Sequence, residues 1–298
     1  MRTSPTRTRP VAERPRAARR HAPDPALLAG LLESAYARWH RPEEVDRDPL
    51  RFPRRHASRA DREATGFVAA AFAFGRVAAF LPVLEALFAR LGPEPAAAVA
   101  GLDRESAQAL VEGLGYRFAR PANVAGLLLG TGAVLTNAEG LQAPVATALR
   151  TGGTVTDGLR ELAAAVRRGA GDLDPGFLVP REGRTGPMKR LHLFLRWMVR
   201  DDGIDLGAWP SIPASALVMP MDVHVCRIAR LLGLIPDRRS GPGLRDALEL
   251  TDALRQFDPV DPVRFDFALS HLGISGRCNG RPGPACLDCA LEPACRRR

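Results

Sequence analysis

Lysine is almost missing from this chain: of 42 basic residues only Lys189 is a lysine, and the rest are arginine. A genome rich in Arg, Ala, Gly and Pro codons accounts for the bias. A surface lysine tolerates that replacement, whereas an amine that must lose its proton does not, because guanidinium stays protonated in proteins. Lys189 is therefore a candidate nucleophile, with a chance survivor on a helix surface as the plain alternative. Long apolar runs are missing too. GFVAAAFAFG at 66–75 is far shorter than the roughly 20 residues that span a bilayer. No apolar core directly follows the basic N-terminus, so no secretory signal is expected. The pair Arg19 and Arg20 could be taken for a twin-arginine signal, but Glu33 and the helical spacing of ALLAGLLESAY suit an ordinary amphipathic helix. A soluble, cytoplasmic protein is the expectation. Alternating strand patterns are absent as well, which argues against a β-fold.

What remains is helical periodicity and positive charge. The formal charge is +9, but residues 1–20 hold seven Arg and one Glu, so +6 of it sits in a Pro- and Arg-rich tail. Residues 1–24 are expected to form a disordered basic tail, adding salt-sensitive attraction to phosphate. Helices are expected at 25–40, over 61–92 as one or two long buried helices, and near 104–114, 121–135, 155–168, 187–201, 222–234, 243–256 and 261–273. Connectors at 169–187 and 201–221 are long enough to be functional loops or a domain crossing. The fold class is all-α. With 298 residues there is room for two modest helical domains.

Four of the five cysteines crowd into the last 21 residues: Cys278, Cys286, Cys289 and Cys295, spaced C-x7-C-x2-C-x5-C. In a cytosolic setting such a cluster points to metal rather than disulfides. A structural zinc and a [4Fe-4S] cluster take the same four thiolates, so spacing alone leaves both open. Cys226, among the apolar residues of VHVCRIARLLGL, reads as a buried small side chain.

The segment VMPMDVHVCRIARLLGL, 218–234, resembles the part of endonuclease III-type helix-hairpin-helix DNA glycosylases that carries their catalytic aspartate in an apolar-Asp-Thr-His-Val pattern. The cysteine loop 278–295 resembles the iron-sulfur loop of those enzymes, with one more residue in its first gap. Together with KRLHLFLRWMVR and DPVRFDFALSHLGISG, the chain resembles a bacterial family of unknown function distantly related to that superfamily. Where endonuclease III has a Leu-Pro-Gly-Val-Gly hairpin before its lysine, this sequence has GRTGPMK at 183–189. Its 33-residue gap from Lys189 to Asp222 resembles the wider spacing of archaeal 8-oxoguanine glycosylases.

The resemblance implies a two-domain glycosylase-like fold, with residues 61–203 in one domain and 25–60 plus 204–298 in the other, and a cleft between them. It implies a bifunctional N-glycosylase and AP lyase acting on a damaged base, extruded from double-stranded DNA, with a [4Fe-4S] cluster in the cysteine loop. Asp222 would stabilise positive charge on the sugar, as carboxylates do in glycoside cleavage. Lys189 would attack C1′, expel the base and form an imine, which an arginine cannot do. Asp222 also stands where an N-cap belongs, and both roles are compatible. Gly183 and Gly186 would shape a turn facing a phosphate. Arg190 and His224, beside the catalytic pair, would contact the nucleic acid, though His224 reads more readily as a satisfied half-buried histidine. Arg76, at the break between two long helices, would enter the gap left by the flipped base, a solvated arginine being the plain alternative. His192, Trp197 and Trp209 would line the base pocket, although helical spacing makes Trp197 more often a core residue than part of a cage. Two alternatives stand beside the enzyme. One is a non-catalytic nucleic-acid-binding module that keeps the fold and the metal loop; the other is a redox-sensing iron-sulfur regulator.

Overall fold

The computed structural model describes residues 23–183, 186–238 and 240–296. Those residues form twelve α-helices joined by short 3-10 turns, and among them no strand occurs beyond one isolated bridge between Tyr116 and Ala119. The expected all-α class is observed. Among the described residues no single helix is long and apolar enough to cross a membrane. Residues 1–22 of the expected tail lie outside the described set. Asp24 belongs to the fold instead, as the N-cap of α1 (Pro25–Trp39), its carboxylate accepting from the Ala26 amide at 3.0 Å.

Helix α2 (Arg59–Ala71) is buried on every side from Glu63 onward, the mark of a central helix. Ser58 caps it, and Gly75, at φ 78°, breaks it from α3 (Val77–Leu91). A β-carbon at Gly75 would meet the Tyr116 hydroxyl at 2.3 Å, so the break is built for glycine twice over. The short α4 (Pro95–Ala100) and α5 (Arg104–Leu110) lead to α6 (Pro121–Leu135), which packs on α4 and α8. There Gly130 admits the Val166 carbonyl, which a β-carbon would approach to 2.0 Å. Helices α7 (Ala143–Arg150) and α8 (Val155–Gly169, opened by a Thr154–Asp157 capping box) complete this group.

Helix α9 (Lys189–Val199) is buried from Leu191 to its end and lies on α2, Phe194 standing edge-on to Phe67 at 5.3 Å. The 201–221 connector is pinned alongside it: the amides of Leu206 and Trp209 each donate at 2.8 Å to the carbonyls of Trp197 and Met198. The Trp209 indole donates to buried Glu63 at 2.8 Å, tying that connector to α2. The remaining helices are α10 (Val223–Leu232), α11 (Leu244–Arg255) and α12 (Asp266–Ile274). Helix α1 returns to pack on α12, with Tyr36 edge-on to Phe265 and Glu33 paired to Arg264 at 3.0 Å.

Candidate active site

Lys189 is the first residue of α9, and the residue before it, Met188, sits in the left-handed region at φ 48°. A non-glycine residue held there costs on the order of 1–3 kcal/mol, and such outliers concentrate at functional sites. The turn fixes where the lysine stem leaves the backbone. Its ammonium donates to the Ala73 carbonyl at 3.4 Å and lies 3.7 Å from Oδ2 of Asp222. The two side chains, 33 positions apart in sequence, remain 27% and 15% exposed, so the pair is sheltered yet reachable from solvent.

Asp222 divides its carboxylate between two jobs. Oδ1 accepts the amides of His224 and Val225, both at 2.8 Å, capping α10. Oδ2 faces the amine. The cap thus holds the carboxylate against a helix N-terminus while one oxygen stays available.

Beside Lys189 opens a cleft of about 590 Å³, walled by Phe74, Phe177, Val179, Pro187 and Met188. Phe74 and Phe177 meet edge-on at 5.0 Å. Phe177 is 50% exposed, and Phe118, 5.9 Å from it, is 65% exposed. Arg190 binds the fold rather than facing solvent: it donates to the Ala71 carbonyl at 2.7 Å, and its guanidinium covers the Phe177 ring at 4.4 Å. Burial lowers its pKa to about 10, which leaves it charged at neutral pH.

The expected base pocket needs correction. His192, Trp197 and Trp209 are each 1% exposed or less. They face the core because α9 is enclosed by α2, α8 and the 201–221 connector, and none of them lines the cleft beside Lys189. Burial drives the His192 imidazole down to about 4, so it is a neutral core residue. The aromatic groups at the cleft are Phe74 and Phe177, which the sequence marks only as parts of an Ala- and Phe-rich helix end and a Gly-Phe-Leu turn. Gly183 turns at φ 73° on an exposed segment and Gly186 is exposed, while Arg184 and Thr185 between them lie outside the described residues. Arg76 is exposed at the N-cap of α3. His224 is half-buried, its Nδ1 3.0 Å from Arg227, and burial lowers its pKa.

One acid that sequence reading passed over sits behind the pair. Asp266 is buried at the start of α12 and bonded to Arg196; burial pushes its pKa up to about 6, and the Asp222 charge adds to the shift. Its signal was a lone carboxylate inside the aromatic run RFDF.

All four clustered cysteines line a single cavity of about 110 Å³, together with Ile228, Leu231, Leu232 and Leu272. Burial raises the Cys289 thiol, and the other three add to the shift. Among the described residues no three His, Cys, Asp or Glu side chains converge closely enough to hold a single ion. Cys226 is buried in α10.

Neither the curated proteins nor the solved structures include a match to this chain. One family model covers residues 48–275, which takes in Lys189 and Asp222 and stops three residues before Cys278. The chain belongs to the family described as "Protein of unknown function (DUF2400)".

Proposed function

We propose that this protein is a DNA base-excision enzyme of the helix-hairpin-helix glycosylase type, a bifunctional glycosylase and AP lyase. The observation that carries the reading is the amine of Lys189 lying 3.7 Å from Oδ2 of Asp222 at the edge of a cleft of about 590 Å³. That volume falls in the range of small-molecule sites, and two aromatic rings in its wall suit the stacking of an extruded base. Asp222 stabilises the oxocarbenium-like charge as the glycosidic bond breaks and the base leaves with the bonding electrons. Lys189, its proton taken up by Asp222 or the departing base, bonds to C1′; ring opening gives the imine, and loss of a C2′ proton expels the 3′ phosphate. The division into residues 61–203 and 25–60 plus 204–298 belongs to the same reading. It is supported by the packing of α1 on α12 and by the pair meeting between α9 and α10.

Cys278, Cys286, Cys289 and Cys295 would hold a [4Fe-4S] cluster: four thiols line one apolar cavity, the ligand set such a cluster takes. The cluster would hold the C-terminal loop against α10. The rival is a structural zinc, which would leave the purified protein colourless rather than brown.

Borohydride trapping on duplexes carrying different damaged bases tests the chemistry. A covalent adduct present in the wild type and absent in Lys189→Arg, which keeps the charge, supports the enzyme. DNA binding with neither adduct nor base release on any lesion overturns it in favour of a binding module.

A further inference from the structure

A second cavity, of about 580 Å³, lies between α10 and the cysteine loop and is lined by four arginines: Arg227, Arg230, Arg281 and Arg296. Only one carboxylate, Asp237, lines it with them. Two of the four are fixed in place. Arg227 donates through Nη2 to the Cys278 carbonyl at 2.6 Å, and Arg230 through Nη2 to the Ser240 carbonyl at 3.1 Å, with Asp246 at 3.5 Å. These contacts fall on Nη2 alone, so Nη1 of each has no partner among the described residues. Arg281, on the cysteine loop, is exposed, and its guanidinium has none either. The guanidinium of Arg296 lies against Gly233, where a β-carbon would come within 2.0 Å of it.

Arg227 and Arg281 bring to one concavity guanidinium groups with no carboxylate partner among the described residues, and the planar fork of arginine matches phosphate oxygens in pairs. We infer that this cavity is a phosphate-binding site, taking a phosphate ester group between α10 and the cysteine loop. Its position suggests the source. Val223, Arg227 and Arg230 share one face of α10, at i, i+4 and i+7. Arg227 and Arg230 are five and eight residues past Asp222, roughly 7 and 12 Å along the axis at 1.5 Å per residue. A strand with its sugar at Asp222 runs a neighbouring phosphate into this cavity. A free di- or triphosphate offers the same chemistry. The site itself does not depend on Lys189 being a nucleophile.

The test is the salt dependence of binding to a short labelled duplex for wild type, Arg281→Gln, Arg230→Gln and Arg281→Lys, with inorganic pyrophosphate and ATP titrated separately at constant ionic strength. Each lost phosphate contact lowers the slope of log K against log salt by about one, equally on unrelated sequences. That drop is expected in both Gln variants and not in Arg281→Lys. If pyrophosphate or ATP binds in an Arg281-dependent way while the duplex slopes stay unchanged, the site stands and its source is a free phosphate compound. Unchanged slopes together with no pyrophosphate or ATP binding overturn the inference. Arg281 is exposed, so its variant tests the site even if loss of Arg230 from its partner Asp246 unfolds the chain. Borohydride trapping is read separately on the wild type, so failed trapping and a failed phosphate site are distinct results.

Discussion

Replacing Asp222 by asparagine and by alanine separates the two jobs assigned to its carboxylate. Oδ1 accepts two amides at 2.8 Å while Oδ2 faces Lys189 at 3.7 Å. Asparagine keeps a capping oxygen and loses the charge; alanine loses both. An N-cap removed to alanine costs about 1 kcal/mol, which in a chain of this size lowers the melting temperature by about 2–4 °C. Asp222→Asn is expected to melt within about 1 °C of wild type, since asparagine ranks with aspartate as a cap. Chemistry divides the variants differently. Losing a preorganised charge at the reacting centre typically costs on the order of 10²- to 10³-fold in rate, so single-turnover base release falls by that factor in both. The assays are thermal unfolding followed by circular dichroism and release of the damaged base from a labelled duplex. Asp222→Asn that releases base at the wild-type rate refutes the charge-stabilising role. Asp222→Asn that melts as low as Asp222→Ala refutes the cap.

Four further outcomes follow from the packing. His192 is held neutral by burial, with a pKa of about 4 against the usual 6.5, so its contribution is complete above pH 6.5 and is lost as pH falls toward 4. Roughly 3 kcal/mol of acid destabilisation over that window is expected to be missing from His192→Leu in urea titrations, while Asp266, raised to about 6, acts oppositely and loses its contribution as pH rises through 6. Trp209→Phe removes a donor from Glu63, which is 1% exposed, and empties the space of the second ring at a buried site, so it should cost at least about 1–3 kcal/mol in equilibrium unfolding. Arg196→Lys keeps a buried positive charge but cannot serve Asp205 and Asp266 together, so about 3–5 kcal/mol should be lost in the same assay. Cys289→Ser should yield protein whose bound iron, by elemental analysis and visible absorbance, falls well below wild type.

Helices with strong periodicity were legible: α6 runs 121–135 and α8 runs 155–169, within a residue of the expected spans. Two were not. Helices α4 and α7, of six and eight residues, are too short and too rich in alanine for an apolar stripe to stand out. The break after α2 was legible because Gly75 marks it. Which aromatics face a cleft was not, since Trp197 and Phe74 look alike in a helical pattern and only the packing of α2 and α8 around α9 decides that the first is enclosed and the second is not. Lys189 stood out by composition and Asp222 by its place before an apolar helix. Nothing local in the sequence signalled that the two meet, because their approach depends on α12 and the 201–221 connector.

That approach explains why one lysine persists in a chain that otherwise uses arginine. Lys189 and Arg196 on α9 and Arg200 at its C-cap stand at i, i+7 and i+11 along one side of the chain. Each meets carboxylates from the C-terminal half. Arg200 bonds Asp202 at 2.7 Å and Asp205 and Asp261 at 2.8 Å, Arg196 bonds Asp205 and Asp266, and Lys189 faces Asp222. At the two arginine positions the side chains are 2% exposed, and a fork serving two or three carboxylates at once is the arrangement that lets such burial occur. These pairs add little net stability against an apolar core, but each is costly to misalign, so they set the register of α9 against α12 and the connector. At the partly exposed end of that side the demand changes. One carboxylate oxygen is already taken by the cap, and a compact amine at 3.7 Å meets the charge of the other. The buried arginines hold the geometry, and the lysine stands where that geometry opens to solvent.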